Sequence, residues 1–199
     1  MSDDIRTARL VLRRWCDDDR ARFAEMNADA RVMEHFPALL SRAESDAVVD
    51  RIQAHFEKHD FGLWAVEVTG GDPFIGFVGI THVPFEAHFT PAVEIGWRLS
   101  ATHWGRGYAR EAAKAALEVG FARAKLDEIV SMTAVDNRKS RRVMEAIGMH
   151  RNLEDDFDHP RIPEGHRLKR HVLYRVSRAE WSNGMQNASA VTSGNTTIE

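Results

Sequence analysis

At 199 residues and a formal net charge of −3, the chain is long enough to bury one sizeable core. That balance excludes a general nucleic-acid binder and a polybasic membrane-surface protein. The single cysteine, Cys16, excludes an internal disulfide and any multi-cysteine metal site, and no apolar run approaches the ~18 residues of a membrane span. A cytoplasmic location is expected, with no signal peptide and with neither nucleic acid nor membrane as partner. The ten histidines show no His-Glu-x-x-His pattern, and no metal is expected.

Taken in order, Arg9 to Trp15 alternates as a first strand. Asp17, Asp18 and Asp19 then offer caps and dipole partners for a short helix carrying Phe23 and Met26. Ser41-x-x-Glu44 is a capping box that opens a second helix, with Val48, Ile52 and Phe56 at four-residue spacing. Gly62 to Val68 and Phe74 to Val83 form a hairpin around Thr69-Gly70-Gly71-Asp72-Pro73. The loop from Pro84 to Pro91 carries two phenylalanines, which either wall a pocket or tuck under to cap the core.

Val93 to Leu99 alternates again, with Val93, Ile95, Trp97 and Leu99 on one face and Glu94, Gly96 and Arg98 on the other. From Ala109 to Ala124 the period becomes helical. Between them lies Trp104-Gly105-Arg106-Gly107-Tyr108-Ala109. A glycine loop feeding a helix N-terminus offers free N–H donors and a positive dipole to an anion; its plainer role is a tight strand-to-helix connection. Neither the dinucleotide fingerprint nor the P-loop fits, because Arg110 stands where the first needs a small residue and Gly-Lys-Ser/Thr is absent. Glu128 to Val135 reads as a strand. Asn137 caps a helix from Arg138 to Ala146, and Gly148 takes the left-handed stop. Met149 to Leu153 and Leu168 to Val176 complete the strands around a polar loop, Glu154 to Gly165. Ser182 to Glu199 has almost no apolar content and reads as a flexible tail after one domain, residues 1–181.

The strand, the Trp-Gly-Arg-Gly-Tyr-Ala loop, the helix, Asn137-x-x-Ser140 and Ile147-Gly148-Met149 together resemble the GNAT acyl-CoA N-acetyltransferases. The nearest likeness is to the RimJ/RimL branch of ribosomal-protein N-terminal acetyltransferases. The resemblance runs from about Thr7 to Trp181. It implies an α/β fold in which a mixed sheet with a splayed strand pair is flanked by helices. It also implies acetyl-CoA as co-substrate, with the acetyl group moved to a primary amine by direct attack in a ternary complex. The amine is a protein N-terminus or a small molecule, and the enzyme is either a monomer or a homodimer.

Carried over residue by residue, Trp97, Arg98 and Leu99 flank the pantetheine arm, and Gly105, Arg106, Gly107, Tyr108 and Ala109 cradle the pyrophosphate. Trp104 replaces a usually polar residue. Asn137 contacts the arm, its equal alternative being a helix cap, and Arg142 with its basic neighbours meets the 3′-phosphate or forms a solvated face. Ser140 is the candidate donor to the leaving thiolate, because Met144 stands where many relatives place a tyrosine acid. From its own setting among apolar strand neighbours, Glu94 is the candidate base, provided burial raises its pKa. The acids Glu154, Asp155, Asp156 and Asp158 either attract a cationic acceptor or pair with nearby arginines. The competing function is a non-catalytic GNAT-fold acyl-CoA sensor.

Overall fold

The computed structural model describes residues 4–184. A short strand β1 (Ile5–Arg6) pairs with β2 (Leu10–Arg13), the core of the strand expected from Arg9. Helix α1 (Asp17–Asn27) follows, with Cys16 rather than an aspartate as its N-cap. The three acids occupy the first turn, where the helix dipole favours negative charge. Asp19 reaches back to accept from the Cys16 N–H at 2.9 Å and forks onto Arg13 at 2.8 and 2.9 Å, tying α1 to β2.

Helix α2 (Arg42–His59) opens on the expected capping box: Ser41 accepts from the Glu44 N–H, and the Glu44 carboxylate accepts from the Ser41 N–H. It carries His55 and His59 one turn apart, a ligand spacing that the sequence reading passed over.

Strands β3 (Leu63–Val68) and β4 (Gly76–His82) form the hairpin, and β5 (Val93–Leu99) lies antiparallel to β4 along its whole length. Helix α3 (Tyr108–Glu118) runs on into a π-helical turn at Val119–Arg123. Next come β6 (Glu128–Ala134) and α4 (Arg138–Ala146), the latter with the predicted bounds and Asn137 cap. The strand expected over Met149–Leu153 shrinks to β7 (His150–Arg151), and the polar loop after it holds a short β8 (Phe157–Asp158). The last strand is β9 (Arg170–Ser177). Residues 178–184 are helical, so Ser182 to Gly184 extend a helix; the rest of the expected tail lies outside the described residues.

The strands make one mixed sheet in the order β1-β2-β3-β4-β5-β6-β9-β7, with β8 also on β9. Small residues let α3 sit close to it: Ala112, Ala113, Ala116 and Leu117 are fully buried. Trp15, Phe23, Phe74 and Phe77 form an aromatic cluster, Trp15 meeting Phe23 edge-on at 5.0 Å. Phe85 and Phe89 pack against Val130, Phe157 and Leu173, which resolves their two readings in favour of capping a core cluster. No helix of the described residues is long and apolar enough to cross a membrane.

Candidate active site

Strands β5 and β6 run parallel, and they pair at one position only, Glu94 opposite Val130. The Ser131 hydroxyl donates to the Ile95 carbonyl at 2.9 Å, holding the strands together just there. Beyond that point β5 stays paired to β4 alone, and the sheet opens as a fork. Open sheet edges leave backbone donors and acceptors free for a ligand. At the mouth of the fork the chain turns through Gly105 (φ +75°) and Gly107 (φ +79°), left-handed conformations that favour glycine. Gly107 is the N-cap of α3 and supplies no side-chain acceptor, so the first-turn N–H groups face outward. Arg9 braces this loop by donating to the Arg106 carbonyl at 3.0 Å, pairing with Glu111 at 2.6 Å and lying over the Tyr108 ring.

A cavity of about 350 Å³ occupies this region. Of the residues expected to hold the co-substrate, Trp97, Arg98, Leu99, Trp104, Gly105, Gly107, Tyr108, Ala109, Asn137, Ser140 and Arg142 all line it. Arg106 does not: it is exposed, with only its carbonyl engaged in the loop. Glu94 also stands outside the lining, at the closed end of the fork.

Sequence reasoning missed the opposite wall, where Arg31, Glu34, His35 and Phe36 come from the α1–α2 connection. The one local signal there is a histidine held between an acid and Phe36-Pro37. His103 was likewise left out and lines the cavity; so do Arg110, at the start of α3, and Lys139, one of the basic neighbours of Arg142.

The side chains are not equivalent chemically. Burial pushes the Glu94 carboxyl up to about 7, with the nearby Met132 backbone N–H pulling the other way. Glu94 shares its strand face with Gly96 and Arg98, and a Cβ built at Gly96 meets nothing within 4 Å, so the face between the two charges is open. Arg98 donates to Asn27 Oδ1 at 2.6 Å and lies over the Phe36 ring at 3.9 Å, while its Nε finds no partner. Burial lowers its pKa to about 10. No carboxylate among the described residues pairs with it. His35 is lowered chiefly by burial, and its Nδ1 is buried without a partner.

Asn137 is engaged at both ends of its amide. Its Oδ1 accepts from the Ser140 N–H at 3.1 Å, and its Nδ2 donates to Thr133 at 2.9 Å. The capping role is therefore realised. The Trp104 indole N–H donates to the Leu99 carbonyl at 2.8 Å, occupying one of its two acceptor positions. Lys139 lies over the Trp104 ring at 4.3 Å.

Met144 is buried in the core, and the Tyr174 hydroxyl donates to Glu145 at 2.7 Å outside the cavity. Among the described residues Tyr108 is the one tyrosine of the lining. The acidic loop is a correction. Asp155 pairs with Arg175 at 2.8 Å, Asp156 with Arg151, and Asp158 with Arg170 at 3.3 Å, and none of them lines the cavity. Local arginines, five to twenty residues away in sequence, reach these acids before any acceptor would.

The family model for the acetyltransferase (GNAT) domain matches residues 9–150. The chain belongs to the GNAT acetyltransferase family. This acetyltransferase is 30% identical over 181 residues to the uncharacterized N-acetyltransferase YnaD of Bacillus subtilis, an alignment covering 89% of this chain and 99% of that one. It is 33% identical to the uncharacterized protein YkkB of the same organism, over 72% of this chain and 83% of the relative. A GNAT-family acetyltransferase structure from Bacillus anthracis superposes with a TM-score of 0.73 at 28% identity, over 88% of this chain and 99% of the other. RimL, a ribosomal L7/L12 α-N-protein acetyltransferase solved with coenzyme A, superposes at 0.71 but at 14% identity, and so shares the fold. The acetyltransferase fold thus comes with the family's general chemistry, acyl transfer from acetyl-CoA.

Proposed function

We propose that the chain transfers the acetyl group of acetyl-CoA to a primary amine in a ternary complex. The observation that carries this is the β5–β6 fork opening onto the Gly105–Ala109 loop in one cavity. The pyrophosphate is placed on the α3 N-terminus, the 3′-phosphate near Arg142 and Lys139, and the pantetheine arm in the fork. Backbone donors there stabilise the oxyanion, a contribution typically worth ~10²–10³ in rate for one donor. The amine nitrogen attacks the thioester carbon, and the carbon–sulfur bond then breaks to give the amide and the thiolate. The amine proton passes to Glu94, through water because Glu94 stands behind the lining. The thiolate takes its proton from water, with Ser140 donating a hydrogen bond to the sulfur.

The acceptor is inferred to carry an anionic group. Glu34 is the one acid of the lining, against Arg31, Arg98, Arg110, Lys139 and Arg142. The phosphates of CoA account for the last three and Asp29 pairs with Arg31 at 2.6 Å, which leaves Arg98, half-buried on the acceptor wall, without a carboxylate. Burying an unpaired charge costs several kcal/mol, and an acceptor carboxylate or phosphate would offset that. The narrower likeness to ribosomal-protein N-terminal acetyltransferases rests on the Trp-Gly-Arg-Gly-Tyr-Ala loop and the shared fold, and a peptide acceptor would then present its acidic side chain to Arg98.

Release of CoA from acetyl-CoA, measured across amines with and without a second, anionic group, tests the reading. Turnover is expected to favour the anionic set, and Arg98→Gln should raise its KM about tenfold or more while acetyl-CoA affinity holds. Acetyl-CoA binding with no turnover on any amine would instead support the sensor function.

A further inference from the structure

Away from the cavity, three histidines meet at the corner between α2 and β4. His55 and His59 lie one turn apart on the helix, and His82 is the last residue of the strand. One ring nitrogen from each can be chosen so that all three lie within 4.8 Å of one another. His55 Nε2 and His82 Nδ1 stand 3.3 Å apart. Bonds of about 2.0–2.1 Å to a tetrahedral zinc place neighbouring nitrogens about 3.3–3.4 Å apart, so this pair already has the required edge. The geometry points to a divalent transition-metal site, zinc in the first place, held by His55, His59 and His82 with its remaining position open to water.

The orientation of His55 is the second support. Its Nδ1 lies 2.9 Å from the Phe61 carbonyl, which as an acceptor requires the proton to be on Nδ1. Nε2 is then the bare nitrogen, and it is the one that faces His82. Metal-bound histidines are oriented in this way, with the second ring N–H donated to a carbonyl or carboxylate. The backbone N–H of His82 also points at Nε2, but from 3.4 Å, a contact weak enough to yield to a metal.

Burial, first among the causes, lowers the pKa of both His55 and His82, which disfavours the protonated form that would compete with an ion. Lys58 is the nearby cation that opposes an ion here. His59 is half-buried and His82 exposed, so these rings can turn to close the third bond. An all-imidazole set suits zinc, copper, nickel or cobalt and does not suit magnesium or calcium, which take oxygen ligands. None of the three histidines lines the cavity. An ion here joins the C-terminal end of α2 to the end of β4, and its effect is stabilisation of that corner.

The test titrates tag-free, chelator-treated protein with zinc chloride by calorimetry and follows the melting temperature, with cobalt(II) as a spectroscopic probe of coordination. One zinc per chain, a melting temperature that climbs with zinc concentration and a tetrahedral cobalt spectrum are expected. His59→Ala/His82→Ala should bind zinc at least tenfold more weakly while keeping the metal-free melting temperature and the acetyl-CoA affinity. His82→Gln, at an exposed strand end, serves if the double variant does not fold. Absence of saturable one-to-one binding, or binding that survives loss of His59 and His82 and so belongs to other histidines, would overturn the site.

Discussion

Glu94 and Arg98 are opposite charges on one strand face, both desolvated, and mutation should move kcat at Glu94 and the acceptor KM at Arg98. A base with its pKa near 7 is half ionised at neutral pH, so turnover should rise as pH passes through about 7. Glu94→Gln should lower kcat by ~10²–10⁴-fold, abolish that rise and leave acetyl-CoA affinity unchanged. A variant with the wild-type rate and pH profile would reduce Glu94 to a strand residue. The same shift has a stability consequence. The folded state holds the Glu94 proton more tightly than the unfolded chain, whose carboxyl titrates near 4.5. The stabilisation is therefore complete below about 4.5 and is lost as pH rises through about 7. Thermal melts should show Glu94→Gln melting above wild type when the pH exceeds 7, a gain in stability at the expense of activity.

Among the elements, α3 and α1 depend on contacts at their first turns. At Gly107 a side chain would meet left-handed backbone strain and crowd the N–H groups offered to the pyrophosphate. Gly107→Val should weaken acetyl-CoA binding at least tenfold by calorimetry in a protein that still folds; unchanged affinity would remove the loop from the cofactor site. Helix α1 depends on Asp19, which is buried, caps the Cys16 N–H and forks onto Arg13. Asp19→Ala removes the fork on Arg13 and the Cys16 N–H acceptor but leaves Arg13 with Glu67 at 3.2 Å, and should cost about 1.5–3 kcal/mol in denaturant unfolding. A loss below 1 kcal/mol would show that Glu67 and water satisfy Arg13 without Asp19.

At the scale of the whole molecule, the cavity joins the α1–α2 connection, β5, the N-terminus of α3 and α4. A ligand there binds the folded state alone and stabilises the ensemble. Acetyl-CoA at 100 times its Kd should add about 2.7 kcal/mol, which for a domain of this size raises Tm by roughly 5–10 °C. An unmoved transition at that concentration would place the co-substrate elsewhere. The unfolding should remain one cooperative step, because the sheet is continuous from β1 to β7.

Local chemistry was enough to read several features from the chain. The capping box at Ser41, the Asn137 cap with α4 behind it, and the change from strand to helical period across the glycine loop each lie within a few residues and obey local hydrogen-bond and burial rules. The fork could be expected only through likeness to a family, since nothing local in β5 or β6 says that their pairing ends at Glu94 and Val130. Burial of Glu94 and Arg98 is likewise a property of neighbours distant in sequence. So is the pairing of the acidic loop: Asp155 meets an arginine on β9, which offsets its charge. The histidine group shows the same division. Its i,i+4 half stands in the sequence, but a metal site needs a third nitrogen, and only the hairpin fold brings His82 beside α2.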